Sequence, residues 1–169
     1  MRVSDKYIYF WGEFPSNWYP ARFVVEDEDG KELEFFNTEQ YFMYQKAKVF
    51  GDEDIAMRIL LEGKDPRQAK SLGRKVRNYD DKVWSKVRYQ IMVYANMHKY
   101  LQNKDLRDMI LNKEFDGKHF CEASCYDTIW GVGMTEDNPL ILDEKNWKGQ
   151  NLLGKALDEV RNTLLKRKE

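Results

Sequence analysis

Asp80-Asp-Lys-Val-Trp84-Ser-Lys-Val-Arg88-Tyr-Gln-Ile-Met-Val-Tyr-Ala-Asn-Met-His98-Lys-Tyr100 is the stretch whose reading decides the fold class. Val83, Trp84, Val87, Ile91, Met92, Tyr94 and Ala95 recur at intervals of three and four, the period of one face of a helix. Asp80 or Asp81 stands where a cap is needed. The spacing predicts a long central helix through Tyr100. Working toward the N-terminus, Asp65-Pro66 starts another helix, because proline at the first helical position gives up no needed N–H. Asp52 caps one through Glu62, and Asn37 or Thr38, followed by Glu39, opens one that reaches about Phe50. Before these the period changes. Tyr7–Trp11, Ala21–Glu26 and Glu32–Phe36 are short runs of β-branched and aromatic residues, the last two separated by Asp27-Glu-Asp-Gly30, and they predict a small N-terminal antiparallel sheet.

Toward the C-terminus, Asn103 caps a helix over Lys104–Leu111. The segment from Phe115 to Asn146 loses periodicity and collects Gly, Pro, Asp and Asn, as a long functional loop with a strand or turn inside it does. The last helix runs from about Asn151 to Lys166, with Leu152, Leu153, Ala156, Leu157, Val160 and Leu164 as its buried stripe. The expectation is an α+β fold, mainly α-helical, as one compact domain over residues 1–169.

Composition bounds the function. Five Trp, ten Tyr and nine Phe exclude a disordered chain. Lys and Arg number 28 against 29 Asp and Glu, so no net field draws the whole protein to nucleic acid or membrane, and a polyanion must be recognised locally. The N-terminus has no apolar signal core and no run approaches the roughly 20 apolar residues that span a bilayer, so the expected location is cytoplasmic, without a membrane partner. Cys121 and Cys125, without a histidine cluster, cannot supply a four-ligand zinc site, and His98 and His119 stand alone, so neither a metal nor a cofactor is expected. His98 lies beside the apolar face of the long helix, where a packed or solvated imidazole is the ordinary reading.

Chemistry concentrates in two places. In Glu39-Gln-Tyr-Phe-Met-Tyr-Gln-Lys46 a carboxylate and an amine lie seven residues apart, nearly two turns, on almost one face about 10 Å apart. A carbon bonded to oxygen and nitrogen yields to a carboxylate that activates water or to an amine that attacks it. On these residues alone, Glu39 as a first-turn helix stabiliser and Lys46 as a solvated surface residue remains open. In Asp127-Thr-Ile-Trp130-Gly131-Val-Gly133, an aromatic for stacking a base and glycines that let backbone N–H groups approach a ligand stand together, with a core-burying turn as the open alternative. Ser16-Asn17-Trp18-Tyr19-Pro20 is equally double-edged. Gly149-Gln-Asn-Leu-Leu-Gly154-Lys155 mimics a phosphate loop but fails at its eighth position, Ala156, where magnesium needs a hydroxyl. The basic run Arg67, Lys70, Arg74, Lys75 and Arg77 reads as a nucleic-acid patch or as a solvated helix face.

Taken together, four blocks resemble the NADAR (YbiA-like) family: Ser16–Pro20, Glu39–Lys46, Glu122-Ala-Ser124 through Asp127 with Trp130-Gly-Val-Gly133, and Trp147-Lys-Gly149-Gln-Asn151-Leu-Leu-Gly154-Lys155. Leu72-Gly-Arg74, Trp84 with Arg88, and Lys99-Tyr-Leu-Gln-Asn103 support them, and the match spans about Phe10 to Leu165. The resemblance implies a compact, mainly helical fold with a small sheet and an N-glycosidase activity at a C1–N bond beside a phosphorylated ribose. Its substrate is a small-molecule ribosyl phosphate, such as a phosphoribosylamino-pyrimidine of riboflavin synthesis, or ADP-ribosylated guanine in nucleic acid. Lone-domain organisation tilts toward the second. By the same resemblance Lys46, Glu39 and Asp127 are the catalytic residues: Lys46 attacks C1 and forms a ring-opened Schiff base while Glu39 or Asp127 moves protons. Trp84 and Trp130 stack the base, and Asn17, Arg74, Gly131 and Asn151 hold ribose or phosphate. Gln40 stands where many relatives carry histidine, which removes an imidazole beside Glu39. A module that binds NAD or ADP-ribose without cleaving it is the alternative function.

Overall fold

Four side-chain caps set where helices begin in the middle of the chain. Gln40 N–H donates to Asn37 Oδ1 at 2.8 Å, Ile55 N–H to Asp52 Oδ1 at 3.1 Å, Arg67 N–H to Asp65 Oδ1 at 2.9 Å and Lys82 N–H to Asp80 Oδ1 at 2.9 Å. Each satisfies an amide that the first turn leaves without an intrahelical partner. The structure, a computed structural model, describes residues 1–168. Along the chain it forms β1 (Arg2–Val3), β2 (Tyr7–Phe10), β3 (Phe23–Glu26), β4 (Glu32–Phe35), α1 (Thr38–Val49), α2 (Glu53–Glu62), α3 (Pro66–Gly73), α4 (Asp81–Gln102), α5 (Lys104–Ile110), β5 (His119–Glu122) and α6 (Leu152–Lys168), with three short 3-10 turns between α5 and α6. This is a mainly helical α+β chain, and every expected helix is present within a residue or two of its expected ends. Two compact units form, Asn17–Lys104 and, separately, Met1–Ser16 with the chain from Asp105 on. No described helix is long and apolar enough to cross a membrane.

In the Asn17–Lys104 unit the hub is α1 rather than the expected α4. Thr38 through Tyr44 and Ala47 are all buried, because α2, α3 and α4 pack around α1. α1 and α3 meet closely where α3 carries Gly73, since a Cβ there would collide with the Met43 side chain of α1. The longer α4 covers one side only, leaving Val83 and Tyr94 exposed while Trp84, Met92 and Ala95 are buried. β3 and β4 form the expected antiparallel hairpin, Phe23 opposite Phe35, closed by Asp27, whose Oδ1 accepts from Asp29 and Lys31 N–H at 2.9 and 2.8 Å. Phe23 stacks on Phe35 and on His98, so His98 is the packed imidazole, its pKa lowered by burial.

In the other unit the sheet departs from expectation. Tyr7–Phe10 does not join the 23–35 hairpin: it pairs antiparallel with β1 and parallel with β5, Tyr7 opposite His119 and Phe10 opposite Glu122. All four β2 residues are buried, the pattern of a central strand covered on both faces, and its parallel partner arrives only after a long crossover that local sequence patterns cannot reveal. α6 packs on β5. Arg161, buried in that helix, donates from Nε to Ile110 O at 2.7 Å and from Nη2 to Asn112 O at 3.1 Å and Asp116 Oδ1 at 2.6 Å, tying α6 to the end of α5.

Candidate active site

The start of α1 is built by two amide side chains. Asn37 caps the helix and donates to Gly63 O and Lys64 O at 3.2 and 3.1 Å. Gln40, fully buried, accepts from Phe36 N–H at 2.8 Å and donates to Ile59 O at 3.0 Å. Gln40 therefore fastens α1 to the end of α2. This rigid start positions Glu39, whose N–H donates to Asn17 O at 3.1 Å, so that the buried Asn17 lies at the carboxylate's own turn. Asn17 Oδ1 is buried without a hydrogen-bond partner, an acceptor whose desolvation no protein group offsets.

Lys46, two turns along α1, is half-buried. Burial pulls its ammonium below the usual lysine range, the Glu39 carboxylate opposes that shift, and the Arg74 guanidinium adds to it. Lys46, Glu39 and Arg74 thus act on one another electrostatically, and Lys46 Nζ lies 4.7 Å from the centre of the Tyr79 ring. Tyr79 is held by its hydroxyl donating to Asp81 Oδ1 at 2.8 Å and by edge packing on Phe50. No sequence pattern marked Tyr79, which sits in the aperiodic Arg77-Asn78-Tyr79-Asp80 turn where Asn78 takes a φ of 62°. Trp84 is a packing residue of this unit, 5% exposed against Phe42 and Phe50, with ring centroids 5.1 and 6.4 Å away.

A second lysine was also missed. Lys99 on α4 is fully buried, with its Nζ 5.2 Å from the Tyr100 ring and 5.9 Å from the Tyr19 ring, and burial pushes its pKa down to about 7. The sequence placed Lys99 in the supporting block Lys99-Tyr-Leu-Gln-Asn103 without giving it a role, and its position three residues after Asn96 and four after Ala95 on the buried face was the further signal.

The remaining sequence-predicted residues lie in the other unit, where they build one turn. Asp127 Oδ1 accepts from Ile129 and Trp130 N–H at 2.9 and 2.8 Å, so Asp127 is first the closing residue of its own loop. Trp130 is half-buried and Gly131 buried; a Cβ on Gly131 would meet Asp127 O and Glu122 O, each at 3.0 Å. Asn151 departs from its expected role as a ribose or phosphate holder. Its Oδ1 accepts from Glu122 N–H at 3.0 Å, its Nδ2 donates to Phe120 O at 3.0 Å, and it is buried at a φ of 54°, so both ends of the amide serve β5. Leu152 and Leu153 N–H, at the start of α6, donate to Ile129 O and Trp130 O at 3.2 and 3.1 Å. Those amides are engaged by carbonyls, which removes the phosphate-loop reading of Gly149–Lys155 on structural grounds as well.

This geometry can be set beside known proteins. The family model described as the NADAR domain matches residues 9–165. The chain belongs to the NADAR family. Among curated NADAR relatives it is 36% identical over 167 residues to N-glycosidase R617 of Acanthamoeba polyphaga mimivirus, covering 94% of this chain and 96% of that protein. It is 42% identical over 165 residues to Protein irg-1 of Caenorhabditis elegans, covering 91% of this chain and 76% of that one. Among solved structures, the NMR structure of the E. coli protein YbiA superposes with a TM-score of 0.75 at 28% identity, covering 99% of this chain and 89% of that one. The resemblance read from the four motif blocks is thereby confirmed.

Proposed function

We propose that this NADAR chain cleaves the C1–N bond between a phosphorylated ribosyl unit and a base, with Lys46 as nucleophile. The chain is a hydrolase acting on N-glycosyl compounds. The observation that carries the mechanism is the environment of Lys46: an amine whose pKa burial lowers, facing a carboxylate and a guanidinium. An ammonium cannot attack carbon, so a lysine nucleophile must reach its neutral form near neutral pH, which desolvation promotes.

In the proposed sequence Glu39 protonates the ring oxygen, the ring opens, and Lys46 Nζ bonds C1. The C1–N bond to the base then breaks, its electron pair leaving with the base, which takes a proton. Water hydrolyses the resulting Schiff base, freeing the amine and leaving an aldehyde at C1, onto which the sugar's own ring hydroxyl closes to regenerate the ring with a hydroxyl on C1. Glu39 is the carboxylate assigned to these transfers because it is the one coupled to Lys46. Asp127 is assigned to shaping its loop through the two amides it accepts. The orphaned Asn17 Oδ1 is an acceptor suited to a ribose hydroxyl, and Arg74 supplies a cation for phosphate. ADP-ribose removal from modified guanine in nucleic acid is the proposed substrate reaction, with phosphoribosylamino-pyrimidine hydrolysis as its small-molecule counterpart.

The test is a product assay offering both substrate classes to the wild type and to Lys46→Ala. Release of free base by the wild type, loss of at least about a thousandfold in the variant, and a borohydride-trapped adduct on the wild type alone are expected. Tight binding of unchanged substrate would instead favour a non-catalytic module. Turnover without a trapped adduct would favour direct attack by water.

A further inference from the structure

Tyr44 on α1 is 7% exposed, yet its hydroxyl has no hydrogen-bond partner among the described residues. Its ring meets that of Phe35 on β4 edge-on, with centroids 5.5 Å apart. Both residues line a cavity of about 180 Å³ between the β3–β4 hairpin and α1, with Val25 and Leu33 as further apolar lining. At about 100° per residue, positions 44, 45 and 48 lie nearly opposite positions 39 and 46 around the helix, so this cavity is separate from the Glu39 and Lys46 face.

Charge at the cavity is mostly of one sign. Glu26, Asp27, Glu28 and Asp29 line it, and none of the four pairs with a lysine or arginine among the described residues. Asp27 uses Oδ1 for the Asp29 and Lys31 amides that close the turn, which leaves Oδ2 unengaged. Glu26 stands directly across the hairpin from Glu32, a like-charge pairing that destabilises a sheet unless something positive lies beside it. The one cation in the lining among the described residues, Lys48, feels the Glu28 carboxylate, and its Nζ is engaged by both oxygens of Glu53 at 2.9 and 3.0 Å. Burial raises the Tyr44 pKa, Lys48 opposes that shift, and Glu53, Asp27 and Glu28 add to it, as they do for a phenol that faces these carboxylates.

Size and chemistry select the ligand. At about 180 Å³ the cavity is below the roughly 300 Å³ at which sites for drug-sized ligands begin, which is too small for a nucleotide and suits one head group on a stem. No three carboxylates among the described residues converge as a metal ion requires, so the negative charge is spread along the rim. An aromatic pair, aliphatic side chains, a phenol oxygen able to accept and carboxylates on the rim together recognise an N–H cation carried on hydrocarbon. We propose that this cavity binds a small aliphatic ammonium or guanidinium ion, its N–H groups donating to the Tyr44 hydroxyl and the Asp27 carboxylate and its stem lying against Phe35 and Leu33. A cation seated there ties the hairpin turn to α1, the helix that carries Glu39 and Lys46.

The test is calorimetric titration of the full-length protein with agmatine, a four-carbon chain bearing a guanidinium at one end and an ammonium at the other. The wild type should bind one equivalent with a Kd of about 1 mM or tighter, weakening as salt rises. Tyr44→Phe keeps the ring and should leave the Tm unchanged, since the hydroxyl makes no protein hydrogen bond, while weakening agmatine binding about tenfold. Asp27→Asn keeps an oxygen for the turn amides, removes the charge, and should weaken binding by a similar factor with a shallower salt dependence. Glu114→Gln, at an exposed carboxylate of the other unit, and Lys46→Ala should leave agmatine binding as it is. Absence of agmatine binding, equal binding of the neutral butane-1,4-diol, or displacement of agmatine by an equal concentration of magnesium chloride would each overturn the proposal. So would Tyr44→Phe and Asp27→Asn isotherms that overlie the wild type, or a lowered Tm in Tyr44→Phe, which would show the hydroxyl to be engaged within the fold.

Discussion

Lys99 offers a quantitative test of how this fold treats a buried amine. In the folded chain burial pushes its pKa down to about 7 from an ordinary 10.5, whereas the unfolded chain returns the amine to water. Between those values the unfolded state holds a proton that the folded state lacks, so stability rises with pH across the window and is lowest below about 7. Each pH unit well inside that window contributes about 1.4 kcal/mol, and less near pH 7, where the folded amine is still half-protonated, so going from pH 7 to pH 9 should stabilise the protein by about 2.3 kcal/mol through this group. Lys99→Met keeps the length of the stem and removes the titration. Urea unfolding of both proteins at pH 7, 8 and 9 isolates the effect, because Tyr7, Tyr100 and Cys121, whose ionisation burial also opposes, contribute equally to both curves. The wild type should gain on the variant by about 2.3 kcal/mol over that range. Parallel curves would refute the claim that Lys99 is neutral in the folded protein, and with it the reasoning that burial governs the lysines of this unit.

Asn151→Ala should destabilise by about 2 to 4 kcal/mol, because alanine tolerates the left-handed φ less well than asparagine and the change strips Glu122 N–H of its acceptor and Phe120 O of its donor; thermal unfolding measures it, and an unchanged Tm would return Asn151 to the substrate-binding set. Asp52, held by Arg77 and two backbone amides, has a pKa of about 2 against an ordinary 3.8, so its contribution is full above about 4 and disappears as pH falls through 2. Asp52→Asn should therefore unfold with a weaker pH dependence than the wild type between pH 4 and pH 2, read by circular dichroism during acid titration, and identical profiles would contradict the assignment. The Lys46→Ala product assay should separate chemistry from folding: the variant is expected to retain the wild-type Tm within a few degrees while losing turnover, since Lys46 makes no ion pair among the described residues and leaves only a half-buried stem.

Much of the helical scaffold is legible in single residues. Asn37, Asp52, Asp65 and Asp80 mark their helices because a cap is a local interaction, decided within three positions of sequence. The pairing of Glu39 with Lys46 is local for the same reason, since helix geometry alone puts positions seven apart on one face. Sheet pairing was not legible. Tyr7–Phe10 has the composition of a strand, but whether it neighbours Phe23–Glu26 or His119–Glu122 depends on which partner can cover both of its buried faces. Nor was the role of Asn151, whose amide bonds β5 across the fold.

The amino-acid sequence by itself determined the helices, their caps, the family and the chemistry available to it, because propensity, capping and motif spacing act over a few residues. Only the tertiary structure decided which polar groups the interior desolvates. Lys46 and Lys99 are both ordinary lysines on helices in the sequence, and burial lowers the pKa of each, that of Lys99 to about 7. Arg77 and Lys70 are both members of one basic run, and carboxylates from α2 and its cap neutralise the first while leaving the second beside an exposed indole. The physical reason is common to all of them: charge and nucleophilicity are set by solvent access and by neighbours in space, and distant segments supply both.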